Sequence, residues 1–194
     1  MNFLKKTYNW TLEKAQHKNA KWYLSLISFA ESSFFPIPPD VLLIPMALAS
    51  KAKALFYAFI CTLFSVLGGI LGYAIGYFFF NSVGIYIVEL YHLENSFNIF
   101  EDYYKEFGIL IVLGAGITPF PYKFITIASG VFGLNIFLFI IVSIIGRGLR
   151  FYLIAILLYF FGEKIKLFID KYFNILTIVF FILLVGSVFI IRFI

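Results

Sequence analysis

The chain has few charges. Only 13% of its 194 residues are Asp, Glu, Lys or Arg, against about 25% in soluble domains, which excludes a water-exposed globule. With one cysteine, Cys61, no internal disulfide can form, and its place in an apolar run fits a small packing residue. The two histidines, His17 and His92, have no Cys or acidic partner at metal-ligand spacing, so neither a metal site nor a cofactor is expected. No Ser/His/Asp or Cys/His set occurs, so the chain shows no nucleophile and base pair and is not read as an enzyme. No cleavable signal peptide is expected either. Lys5, Lys6, Lys14, Lys18 and Lys21 are spread over the first turns, and no small-residue cleavage site follows an apolar core.

What fills the chain instead is apolar: 62% hydrophobic and 22% aromatic residues, with a mean hydropathy of +0.98. This is the composition of an integral membrane protein. The net charge of +5 is modest, and its basic residues fall at the ends of apolar segments. Such placement sets topology and meets anionic lipid, and it argues against nucleic-acid binding.

Two stretches organise the rest: Phe35-Pro36-Ile37-Pro38-Pro39-Asp40 and Thr118-Pro119-Phe120-Pro121-Tyr122-Lys123. Each sets helix-breaking prolines beside an ionisable residue, between apolar arms of about ten to fifteen residues. At about 1.5 Å per residue such arms reach about halfway through a 30 Å hydrocarbon core. Each stretch therefore reads as the tip of a re-entrant hairpin, with Pro36, Pro38, Pro39, Pro119 and Pro121 at the turns. Non-helical backbone at that depth must be enclosed by protein or line a wet cavity.

In order along the chain, 1–21 reads as an amphipathic surface helix, with Trp10 and Trp22 at headgroup depth. Residues 22–80 hold the first hairpin and a spanning helix rich in glycine (Gly68, Gly72, Gly76), a pattern that lets another helix approach closely. Residues 82–107, with Glu89, Glu94, Glu101, Asp102 and Glu106, read as an acidic external amphipathic helix marked by Phe97, Phe100, Tyr104 and Phe107. Residues 109–161 hold the second hairpin, where Gly114, Gly116, Gly130 and Gly133 suit a tight turn, and a second spanning helix. Residues 172–191 read as a last spanning helix. Lys51, Lys53, Lys164 and Lys166 place the N-terminus inside and the acidic helix outside.

A shift of 83 residues lays Pro36 on Pro119, Pro38 on Pro121 and Asp40 on Lys123, and carries 54–78 onto 137–161. The expected fold is thus an all-α polytopic membrane protein, a single domain in which two opposed re-entrant hairpins and three spanning helices form a pseudo-inverted repeat. Sites in such repeats lie near the midplane between the halves.

Five ionisable residues fall at bilayer depth: Glu31, Asp40, Lys123, Arg147 and Arg150. Each costs about 2.5–3.5 kcal/mol at a helix centre, so they are expected in one interior cluster. Asp40 follows Pro39 and suits either a cap on the returning helix or a titrating carboxylate. Glu31 has no capping role and reads as a proton or charge relay. Arg147 and Arg150, three apart, either neutralise the two acids or bind a phosphate, with Lys123 pairing with Asp40 or adding to the same site.

Glu31 through the proline tip to Asp40, Gly116-Ile117-Thr118-Pro119-Phe120-Pro121-Tyr122-Lys123 with Ser129-Gly130, and Gly146-Arg147-Gly148-Leu149-Arg150-Phe151 resemble the DedA superfamily. More narrowly, they resemble its YqaA-like bacterial branch with the SNARE-associated or VTT domain. The resemblance covers about residues 22–162. It implies a multi-pass protein of the bacterial inner membrane that moves a phospholipid or polyprenyl phosphate between leaflets, as a flippase or scramblase, with dependence on the proton gradient. It matches Glu31 and Asp40 to the family's acidic pair. Lys123 stands near the second hairpin arginine of the family, while Ile117 and Thr118 occupy the region of the first. Two other readings use the same residues: a proton-coupled transporter of a small solute, and a non-transporting membrane scaffold or assembly factor. The oligomeric state is left open by the sequence.

Overall fold

The computed structural model describes residues 19–162 and Lys164, leaving out Pro36, Tyr91, Leu93 and Pro119. The expected surface helix over 1–21 falls almost wholly, and the last spanning helix over 172–191 wholly, outside these residues.

The described chain is helical, with no strand among its residues. Helix α1 is Ala20–Ser33, and α2 is Asp40–Ala49. The break between them spans Phe34 to Pro39, where prolines remove backbone donors and disfavour the α conformation in the residue before each of them. Pro45 lies inside α2. A short 3-10 turn, Lys51–Lys53, leads into α3, Ala54–Phe79. A π-turn, Phe80–Gly84, then leads to α4, Ile85–Leu90. Helix α5 is Glu94–Ile117, α6 is Tyr122–Val131, and α7 is Ile136–Gly162.

The proline breaks thus fall where the sequence puts them, but the acidic segment does not. The helix expected over 82–107 is broken at His92, which has a positive φ of 52°, and its second part runs without interruption into the arm expected over 109–118. Gly108 is no barrier, because it lies on the inward face with Tyr104, Val112 and Ala115. Of the aromatic stripe, Tyr104 is buried and Phe97 stacks on Phe80 at 4.7 Å, whereas Phe100 and Phe107 are exposed.

Two helices, residues 51–79 and α7, are long and apolar enough to cross a membrane. Their polarity is inside out. Helix α1 exposes Trp22, Tyr23 and Leu26 while burying Ser25, Ser28, Glu31, Ser32 and Ser33. Helix α3 exposes Leu55, Phe59, Leu63, Leu67 and Leu71 and buries Ser65, Gly68, Gly72 and Gly76. Helix α7 exposes Phe137, Ile141, Ile145 and Leu149 and buries Ser143 and Arg147. An outer apolar shell around a polar seam is stable in lipid and costly in water. Composition, burial and the two long apolar helices together point to a membrane protein.

Packing on α3 is close because its inward face is small. A Cβ on Gly68 would fall on the Phe29 carbonyl of α1, and one on Gly76 would fall on the Ile127 carbonyl of α6. The glycine row therefore packs both helix pairs, α1 at one end and α6 at the other. The second-tip glycines act separately: Gly116 lies against Gly146, Gly130 against the Tyr73 carbonyl, and Gly133 takes a φ of +64° in the turn into α7, while no described residue comes within 4 Å of a Cβ added at Gly114.

Two apolar clusters cap the seam. One joins Ala20 and Leu24 of α1, Met46 and Ala47 of α2, Ala54 and Ala58 of α3, and Phe151 and Ala155 of α7. The other joins Val112 and Ala115 of α5, Tyr122 of α6, and Phe139 and Val142 of α7, with Tyr73 of α3 packed on it. Helices α3 and α7 therefore run past one another in opposite directions, each contributing its first half to one cluster and its second half to the other.

Candidate functional site

Between the two clusters lies the polar seam, and its charge comes from α7. Arginines three residues apart project from neighbouring parts of one helix face. They meet carboxylates at either side of the first proline break: Glu31, in the last turn of α1, and Asp40, the first residue of α2.

Arg147 is held on all sides. Its Nη2 donates to Glu31 Oε2 at 2.6 Å, and its Nε donates to Ser65 Oγ at 2.6 Å. Ser65 and Ser32 hydroxyls are 2.7 Å apart, and Ser32 donates to Glu31 Oε2 at 3.1 Å. Glu31, Ser32, Ser65 and Arg147 thus close a ring. Because the single Ser32 proton goes to the carboxylate, Ser65 is the donor of the hydroxyl pair, and every hydrogen bond of the ring points toward Glu31. The guanidinium lies against the rings of Tyr122 and Phe151, with centroids at 4.9 and 4.7 Å. Tyr122 is fixed by a 2.5 Å hydrogen bond to Ser143 on α7. The Arg147 side chain is 2% exposed.

Arg150 is held less fully. It donates Nη2 to Asp40 Oδ2 and Nη1 to the carbonyl of Thr118. It therefore links the end of the first proline break to the start of the second. The pair is partly exposed, at 15% for Arg150 and 17% for Asp40. Arg150 Nε and Asp40 Oδ1 are buried and have no partner among the described residues.

Four of the five ionisable residues marked by the sequence come together in these pairs. Lys123 does not join them. Its ammonium lies 5.5 Å from the ring of its neighbour Phe124, and Asp40 is taken by Arg150. The capping alternative for Asp40 is corrected as well: Pro39 occupies the cap position, Asp40 Oδ2 accepts from Arg150, and Asp40 Oδ1 has no partner among the described residues. Of the tip prolines, Pro39 is buried at the start of α2 and Pro121 caps α6 in an extended conformation. Pro38 lies in the break, and Pro36 and Pro119 are outside the described residues.

Sequence reasoning gave no role to Ser65, Tyr122, Ser143 or Phe151. The signal for Ser65 and Ser143 is a hydroxyl inside a long apolar run, which in lipid finds a partner across the helix interface. The two ends of the molecule differ in charge. Lys21, Lys51, Lys53 and Lys164 gather near the first cluster, where Gly162 comes against Leu48 and Lys51, whereas Glu89, Glu101, Asp102 and Glu106 line α4 and α5.

A Haemophilus influenzae protein described as uncharacterized is 40% identical over 157 residues, covering 81% of this chain and 81% of that protein. A Histophilus somni protein, described as "Uncharacterized protein HI0703 homolog", is 35% identical over 157 residues, covering 81% of this chain and 82% of that protein. No family model matches the chain, and no solved structure matches it.

Proposed function

This chain belongs to the family of those two bacterial proteins, and we propose that it moves a phosphate-bearing lipid between the leaflets of the bacterial inner membrane. The observation that carries this reading is the convergence of Glu31, Asp40, Arg147 and Arg150, drawn from both halves of the chain, inside a shell whose outer face is apolar. Charged groups enclosed at membrane depth mark a pathway or a substrate site. Guanidinium groups at such a place suit the phosphate of a phospholipid or polyprenyl phosphate, whose tails stay in the hydrocarbon.

The membrane architecture we propose is a pair of opposed re-entrant hairpins, α1–α2 and the end of α5 with α6, related as an inverted repeat. The resemblance to the DedA superfamily supports it. So does the reciprocal packing, in which α3 and α7 each contribute to both clusters. The lysine-rich end would face the cytoplasm, with the N-terminus, and the acidic helix the outside. In this scheme the positive charge of Arg147, Arg150 and Lys123 attracts the phosphate. Glu31 and Asp40 are the resting counter-ions, and they take up protons as the site is exposed to alternate sides.

Reconstitution into vesicles tests the reading. Fluorescent phospholipid and polyprenyl phosphate probes should cross between leaflets faster with the protein than in protein-free vesicles. Absence of exchange for every probe, with and without a pH gradient, would favour a proton-coupled solute transporter or a non-transporting scaffold.

A further inference from the structure

Arg147 and Arg150 are neighbours on α7 but differ in what they can release. Arg147 packs against the rings of Tyr122 and Phe151 and closes the ring of hydrogen bonds with Glu31, Ser32 and Ser65. A ligand that took its guanidinium would break that ring and strand a buried carboxylate. Arg150 has no aromatic ring over it among the described residues, and it is more exposed. Its Nε and Nη2 share one edge of the guanidinium, the edge that grips a carboxylate or phosphate through two parallel hydrogen bonds. Asp40 uses only half of that edge, through Nη2, and the donor Nε and the acceptor Oδ1 are both left buried without partners among the described residues.

We infer that Arg150, and not Arg147, is the group that binds the phosphate, and that the phosphate takes the Nε–Nη2 edge by displacing Asp40. The inference rests on the reading of the ligand as a phosphate-bearing lipid. A phosphate oxygen pair satisfies both donors of the edge, where Asp40 satisfies one. The displacement has a mechanical result, because Arg150 is also bonded to the Thr118 carbonyl. Losing Asp40 removes one side-chain link between the two proline breaks, the one that runs through Arg150. Arg147 keeps α1, α3 and α7 together meanwhile, so the seam opens at one pair while the other holds. Asp40 thus acts as an internal competitor, and Arg147 as a positioning residue.

The test uses the full chain in nanodiscs, titrated with dodecyl phosphate and separately with inorganic phosphate. Arg150→Gln should weaken dodecyl phosphate binding by about tenfold or more, through loss of the bidentate edge. Asp40→Asn should tighten it by about tenfold, because the fraction of protein with a free Arg150 rises. Should Arg150→Gln fail to fold, the Asp40→Asn result decides: unchanged or weaker binding there overturns the inference. Spin labels at Ile37→Cys and Phe124→Cys, in a Cys61→Ala background, should move apart on adding dodecyl phosphate. Binding without such a change overturns the unlinking.

A preference for dodecyl phosphate over inorganic phosphate supports a lipid source, and equal binding of both supports an anion site served from solution. Lipid exchange in vesicles with unaltered binding by Arg150→Gln would sink this inference and leave transport standing. Binding as predicted, with no lipid exchange, would do the reverse.

Discussion

Thr126 Oγ1 stands 3.0 Å from the carbonyl oxygen of Ser32, a contact between residues 94 apart in the chain. The same hydroxyl is 2.9 Å from the Lys123 carbonyl one turn back. Helices α1 and α6 therefore touch directly beside the charged seam. Thr126→Val keeps the shape and removes the donor, so it should lower stability by about 1 kcal/mol, the usual net value of one such bond. A thermal unfolding midpoint equal to that of the wild type would deny the contact any part in holding the two pairs together.

The glycine row gives a graded prediction. Gly72→Ala would drive a Cβ onto Thr126 Oγ1 and to 3.1 Å from the Ser32 carbonyl, and Gly68→Ala and Gly76→Ala meet backbone carbonyls. Each should destabilise by about 1–3 kcal/mol, since the obstructing atoms are backbone or packed side chain. Gly114→Ala is the control. With nothing within 4 Å among the described residues, it should be neutral or stabilise α5 by up to about 1 kcal/mol. Unfolding in detergent ranks the four, and a Gly114→Ala loss as large as the others would refute the packing.

The ring around Arg147 predicts strong coupling. Arg147→Met or Glu31→Leu alone leaves a buried charge unpaired and should cost about 3–5 kcal/mol, whereas the double change should recover most of that. Within the ring, Ser65→Ala removes the acceptor for Arg147 Nε. Combined with Ser32→Ala in a double-mutant cycle, it should show an interaction energy of about 0.5–3 kcal/mol. Additive losses would mean that the hydroxyl pair does not act as one unit.

Charge at the two ends predicts the orientation. In a Cys61→Ala background, a cysteine at Lys53 should react with a membrane-impermeant reagent only from the cytoplasmic side. One at Asp102 should react only from outside. Both positions are exposed, so labelling of both from one side would contradict the proposed topology.

Much of the architecture is legible locally. Prolines beside short apolar arms gave the helix breaks to within two residues, because a missing donor and a forbidden conformation act at the position itself. Charges in apolar runs mark five residues, and four of them meet as ion pairs, since their cost in lipid forces them together. The pairing itself was not legible. Nothing local says that Arg150 rather than Lys123 takes Asp40; the relative placement of α7 and the first break decides it. The Ser32–Ser65 hydroxyl pair spans 33 residues, and hydroxyls carry no helix-breaking or charge signal. The continuity of α5 was missed because Gly108 and a change from acidic to apolar surface imitate a boundary, although its inward face runs on through Tyr104, Gly108, Val112 and Ala115.

Leaflet exchange with charge-neutral variants tests the central claim most directly. Wild-type, Glu31→Gln and Arg150→Gln proteins, each shown to be folded by its unfolding transition, are placed in vesicles carrying a fluorescent phospholipid or a labelled polyprenyl phosphate. The account predicts exchange of at least one probe with the wild type and its loss in both variants. Exchange at the wild-type rate with Arg150→Gln, or none with the wild type for any probe, would contradict it.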